Sequence, residues 1–212
     1  MGIGNCFSGL IQGIEYYRKN PSQEVTGIIH DKLSGYGIHD IDFVCGFDVG
    51  ENKVGKLLHE AIYEYPNMVD WIAKDDLPKN EAMIYESPIL DGVGIWVENK
   101  IKPLVSTKTT EQIAEEVKQT IKEKGVEIIV SYLPVGSDKV TEFWAQICLD
   151  TKTAFVNCIP SFIASDEKWA KKFEDANVPC IGDDIKGQVG ATIVHRTLAK
   201  LCSDRGTKIE KT

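Results

Sequence analysis

Gly2-Ile3-Gly4-Asn5-Cys6 opens the chain and runs straight into an apolar helical pattern, Phe7, Leu10, Ile11, Ile14 and Tyr17. A glycine turn at a helix N-terminus leaves backbone N–H groups free and adds the positive end of the helix dipole. It therefore suits a phosphate or pyrophosphate. Glycine is needed there for an unusual φ and because a Cβ would hold the phosphate off the backbone. The third small residue of a dinucleotide fingerprint would fall on Phe7, so the turn alone is a weak signal. Asp48 strengthens it. It ends the strand-like run Ile41–Asp48, where an acid accepts hydrogen bonds from ribose hydroxyls and favours NAD over NADP. The interval from Gly4 exceeds the roughly 20 residues usual for that pairing. A loop insertion over Gln23–Asp40 accounts for the excess.

A second polar cluster is Gly182-Asp183-Asp184-Ile185-Lys186-Gly187-Gln188. Two carboxylates beside a lysine can orient a sugar, hold a divalent cation through oxygen ligands, or stabilise a developing charge. They can equally cap a helix. Ser131 and Asn157 place small polar groups at two further strand ends, suited to nicotinamide, ribose or substrate hydroxyls, or to local turns. Lys168, Lys171 and Lys172 read as a solvated helix face, and Trp144 and Trp169 as packing residues. The six cysteines are scattered without a C-x-x-C pair and read as buried thiols. The four histidines show no metal-ligand spacing. No Ser/His/Asp triad, Walker loop or zinc motif is spelled out.

The elements that must position these residues follow in a regular order. After the helix Phe7–Lys19 and the strand ending at Asp48, the apolar spacing of Val54, Leu57, Leu58, Ala61 and Ile62 predicts a helix over Lys53–Tyr65. Ala82–Glu86 is a short strand, and Ser87–Gly92 opens a long loop carrying Trp96. Thr109 and Gln112 form a capping box for a helix to Lys124, stopped by Gly125. Then strands Val126–Tyr132, Ala154–Cys158 and Val178–Ile181 alternate with helices Asp138–Asp150 and Asp166–Asp175, before a last helix over Gln188–Asp204. This alternation implies an α/β fold with a parallel sheet and helices on both faces, the strand ends collecting along one carboxyl edge. The strand expected before Gly2 would be the central one, so the chain is expected to begin inside a domain. Its two neighbours would then keep unpaired edges, prone to aggregation or domain swapping.

The 212 residues suffice for a sizeable core, and 42% hydrophobic with 26% charged residues is ordinary for a globular domain. A net charge of −8 argues against nucleic acid or an anionic membrane as partner. No apolar run reaches bilayer-spanning length, and a cytoplasmic protein is expected.

Read in order, the motifs carry a resemblance. Gly2–Cys6, Gln12–Tyr17, Phe47-Asp48-Val49, Leu90-Asp91-Gly92, Ser131–Ser137, Ile159-Pro160 with Phe162–Asp166, and Gly182–Lys186 with Gln188–Thr192 together resemble myo-inositol-1-phosphate synthases (inositol-3-phosphate synthase family) of the shorter archaeal and actinobacterial type. The resemblance covers the whole chain and implies a Rossmann-like NAD-binding domain, incomplete here. It implies conversion of glucose 6-phosphate to inositol phosphate in a redox-neutral isomerisation with bound NAD. The steps would be oxidation at C5, enolisation, intramolecular aldol closure and reduction. Gly2, Gly4, Asn5 and Cys6 would hold the pyrophosphate and Asp48 the adenosine ribose. Ser131, Tyr132, Leu133 and Pro134 would line the cofactor, with Asn157 and Gly182 beside them. Asp183, Asp184 and Lys186 would lie next to nicotinamide and substrate. A homotetramer is implied, as is a segment with substrate-binding lysines following the last helix, beyond Thr212. Gly187 stands where relatives carry Ser. The alternatives are an NAD-dependent sugar or amino-acid dehydrogenase and a non-catalytic NAD-binding fragment.

Overall fold

The computed structural model describes residues 1–20, 28–94, 99–185 and 190–211. The expected features at Trp96, Lys186, Gly187 and Gln188 lie outside them, as does part of the insertion after Asn20.

Helix α1 spans Asn5–Lys19. A short antiparallel hairpin, β1 (Lys32–Leu33) and β2 (Tyr36–Gly37), sits in the insertion. Strand β3 (Cys45–Asp48) pairs in parallel with β4 (Met83–Glu86), with a four-residue helix α2 (Leu58–Ala61) between them in sequence. Helix α3 (Thr110–Lys124), strand β5 (Ile128–Ser131), helix α4 (Asp138–Thr151), strand β6 (Ala154–Asn157), helix α5 (Glu167–Ala176) and strand β7 (Cys180–Ile181) then alternate. β5, β6 and β7 form a second parallel ladder in that order. A π-helical turn, Ala191–His195, leads into α6 (Arg196–Asp204).

Two parallel ladders stand where one sheet was expected, and the chain start joins them. The Met1 amino group donates to the carbonyl of Val130 at 2.6 Å, and the Tyr132 N–H donates to the carbonyl of Met1 at 3.0 Å. On the other side the Gly2 N–H donates to the carbonyl of Phe47 at 2.9 Å. Met1 and Gly2 thus hold the place between β3 and β5 at the carboxyl end of the sheet.

Strand residues alternate between faces, and each face has its own core. Phe47 packs on Trp144, ring centroids 4.8 Å apart, in a cluster with Ile129, Phe155, Ile113, Val117 and Phe173. Gly46, one residue earlier, lies against Ile3, Ile84 and Leu58 of a second cluster that includes Phe7, Ile11 and Ile62. Helices α3 to α5 therefore cover one face, and α1 with α2 the other. The capping box of α3 is complete: Thr109 Oγ1 accepts from the Gln112 N–H at 3.3 Å and Gln112 Oε1 from the Thr109 N–H at 2.8 Å. Gly125 ends that helix in the left-handed conformation.

The long helix expected over Lys53–Tyr65 is corrected by the structure, which has only α2 there. Gly55, at φ +84°, interrupts the segment. The stretch after it runs beside β4 instead, through Gly55 N–H to Ile84 O (2.8 Å), Ile84 N–H to Lys56 O (2.9 Å) and Leu58 N–H to Ala82 O (2.7 Å). Pairing with a strand edge overrides the helical period. Among the described residues no helix is long and apolar enough to cross a membrane.

Candidate dinucleotide site

The strand ends do gather on one edge, and they divide into two groups. The first surrounds a cavity of about 220 Å³ lined by Gly2, Gly4, Asn5, Asp48, Lys53, Asn67 and Tyr132–Pro134, among others. Seven predicted residues (Gly2, Gly4, Asn5, Asp48, Tyr132, Leu133 and Pro134) meet there.

The glycine turn is fastened on three sides. Gly2 lies at φ +74°, and a Cβ on it would stand 2.6 Å from the Tyr132 carbonyl oxygen, so no larger residue fits. The Ile3 N–H donates to Asp48 Oδ2 at 2.8 Å, while Asp48 Oδ1 accepts from the N–H groups of Val49 and Gly50, both at 2.8 Å. The Ile3 carbonyl accepts from Lys53 Nζ at 2.6 Å and from Asn67 Nδ2 at 2.9 Å. Asn5 Oδ1 accepts from the Met68 N–H at 2.7 Å. Beyond the turn, α1 begins with no side-chain cap and no acidic residue in its first turn. Its leading N–H groups and dipole are therefore free of a built-in anion. A Cβ added to Gly4 would meet nothing within 4 Å, so open space lies beside it. This is a cradle that fits a pyrophosphate. Cys6 is exposed on the first turn of α1 and does not line the cavity. A smaller neighbouring cavity shares Val49, Ser87, Leu133 and Pro134 and reaches Asp91 and Gly92. Asp91 accepts from the N–H groups of Lys139 and Val140 (2.6 and 3.2 Å), so the N-terminus of α4 is already capped.

The second group lies at the ends of β6 and β7. Asp183 accepts from Asn157 Nδ2 at 2.8 Å and from the N–H groups of Ile163, Ala164 and Ser165 at 3.0, 3.1 and 3.0 Å. Partial desolvation would raise its pKa, but those four donors outweigh it and hold the carboxyl below its ordinary range. Asn157 is buried and also donates to the Ser161 carbonyl at 2.6 Å, and Gly182 packs closely against it, where a Cβ would stand 3.0 Å from the Asn157 carbonyl oxygen. Asp184 is exposed, in the left-handed conformation at φ +71°. Among the described residues no three His, Cys, Asp or Glu side chains gather as a metal site, and Asp183 is committed to N–H donors. The Asp183 carboxylate is therefore not free to hold a divalent cation. Ser131 is fully buried, and its hydroxyl and Asn157 Oδ1 have no hydrogen-bond partner among the described residues. Both are open acceptors at adjacent strand ends, paired in register.

Lys53 and Asn67 were not legible as site residues. The helical reading of Lys53–Tyr65 counts only apolar residues as its inward face, and nothing in the spacing of Lys53 signals burial.

No family profile matches the chain. Individual relatives do: it is 45% identical over 213 residues to inositol-3-phosphate synthase of Mycolicibacterium smegmatis. The synthases of Mycobacterium tuberculosis and Corynebacterium glutamicum match at 44% each. The chain is a homologue of inositol-3-phosphate synthase. Each alignment takes in the full chain but only 56% of the relative, so the chain spans little more than half of those enzymes. A solved structure described as the crystal structure of Ari2 superposes with a TM-score of 0.81 at 30% identity, over 97% of this chain and 59% of that one. A myo-inositol-1-phosphate synthase-related protein from Thermotoga maritima superposes with a TM-score of 0.74 at 21% identity, over 97% and 58%, and speaks for the fold alone. The homologue has the parallel α/β fold its sequence rhythm implied and the Rossmann-like character the resemblance implied.

Proposed function

We propose that this homologue forms the dinucleotide-binding part of an inositol-phosphate synthase, which converts glucose 6-phosphate to inositol phosphate with NAD in a redox-neutral isomerisation. The observation that carries the reading is the glycine turn, pinned by Asp48, Lys53 and Asn67 at the open N-terminus of α1. Bound NAD would supply reversible hydride acceptance at the sugar. Gly4, Asn5 and the first turn of α1 would hold the pyrophosphate through backbone N–H groups. Asp48 keeps acceptor capacity beyond its three N–H donors and would take the adenosine ribose hydroxyls. Tyr132–Pro134 would exclude water along the cofactor, while Ser131 and Asn157 offer buried acceptors toward the nicotinamide end. Asp183 would act by holding Asn157 and the loop Ile163–Ser165 in place, and Asp184 would face the sugar; for Lys186 the proposal keeps the substrate-side role that the resemblance implies. The full synthase would be a homotetramer, with further substrate groups contributed outside these residues.

Isotope-labelled glucose 6-phosphate, followed by NMR with the chain and NAD present, tests this. Dinucleotide binding, with inositol phosphate formed or with no turnover at all, fits the proposal. Net accumulation of reduced dinucleotide would assign a dehydrogenase instead, and no dinucleotide binding would overturn the reading.

A further inference from the structure

Lys53 is unusual for a lysine. It is 4% exposed, lines the cavity beside the glycine turn, and donates to the Ile3 carbonyl (2.6 Å) and to Asn67 Oδ1 (3.0 Å). The two acids that act on it through space are engaged elsewhere. The Asp48 carboxylate takes three backbone N–H groups, and Glu64 is ion-paired with Lys56 at 2.6 Å. No ion pair of Lys53 is formed among the described residues. A buried ammonium without a counter-ion is costly and normally calls for an anion close by.

Its placement says which anion. In a trans peptide the C=O and the following N–H point in opposite directions. Gripping the Ile3 oxygen from one side therefore directs the Gly4 N–H to the other. The positive charge at the oxygen end also polarises that peptide in the sense that strengthens its N–H as a donor. We propose that Lys53 is a positioning residue and the counter-charge of the anion cradle: its ammonium aims and polarises the Ile3–Gly4 peptide toward the diphosphate of the dinucleotide. This rests on the dinucleotide reading above. Asn67, which donates to the same Ile3 oxygen and to the Ile62 carbonyl (both 2.9 Å), keeps the peptide in register. Burial pushes the Lys53 pKa down, and the nearby Asp48 and Glu64 carboxylates offset that only in part.

The test is calorimetric titration of wild type, Lys53→Met and Lys53→Arg with NAD, ADP and adenosine. Lys53→Met should lose about 10- to 50-fold in affinity for NAD and ADP and less than twofold for adenosine, with partial rescue in Lys53→Arg. Equal losses for all three ligands would reduce Lys53 to a scaffold residue and overturn the proposal, and so would unchanged NAD and ADP binding in Lys53→Met. Wild type binding neither NAD nor ADP would overturn the dinucleotide reading and this inference together. Should Lys53→Met fail to fold, NMR of the wild type reads the same point. The Lys53 side-chain and Gly4 amide resonances should move with ADP and not with adenosine, and their failure to move would overturn the proposal.

Discussion

Asp48 Oδ2 accepts the Ile3 N–H at 2.8 Å, so the acid at the end of β3 fastens the glycine turn before any ligand arrives. Replacing Asp48 with Ala strands three backbone donors (Ile3, Val49 and Gly50). Hydrogen bonds to a charged acceptor are worth about 1.5–3 kcal/mol. Asp48→Ala should therefore lower stability by about 2–3 kcal/mol, read from urea midpoints, and weaken NAD binding as well. Unchanged stability would show that the turn is held by other contacts.

The two glycines of the turn should separate fold from binding. Gly2→Ala forces a Cβ to within 2.6 Å of the Tyr132 carbonyl oxygen at a positive φ, and should cost more than about 2 kcal/mol. Gly4→Ala faces open space at φ −92° and should leave the melting temperature nearly unchanged while weakening dinucleotide binding. Thermal melts of the two variants, with NAD titrations, check both halves. Equal melting temperatures would contradict the account of Gly2.

Asp183 ties pH to stability. Its folded pKa lies below the ordinary value, so its contribution is fully present above about pH 4 and is lost as pH falls through the folded value. Asp183→Asn should be less stable at neutral pH and should lack that part of the acid destabilisation, as measured by melts between pH 2.5 and 7. Parallel wild-type and variant curves would exclude the clamp. The half-exposed position keeps the expected difference small.

Trp144 is fully buried, packed against the tilted ring of Phe47 and donating Nε1–H to Ser87 Oγ at 3.2 Å. Trp144→Ala should cost about 3–5 kcal/mol, the largest loss among these variants. A smaller effect in calorimetry would mean that the core between β3 and α4 can collapse around the gap.

The parts of the molecule with local signatures were readable in the sequence. The Thr109–Gln112 box, the left-handed Gly125 stop and the strand–helix alternation after Val126 depend on neighbouring residues, and each formed as read. Asp48 was legible because a strand end displays it. The segment after Lys53 was not, since pairing with Ala82 and Ile84, distant in sequence, decides its shape. That also concealed Lys53. The clamp on Asp183 draws on Asn157 and Ile163–Ser165, so the sequence could offer its acidity but not its partners. The same holds for the chain start, whose bridging of β3 and β5 depends on Phe47 and Val130.

The most direct test of the central claim is calorimetric titration of the 212-residue chain with NAD, alongside Gly4→Ala. The account predicts one NAD bound per chain and clearly weaker binding to a Gly4→Ala variant that melts like the wild type. Absence of binding, or binding untouched by the Gly4 substitution, would contradict the assignment of the dinucleotide to the glycine turn.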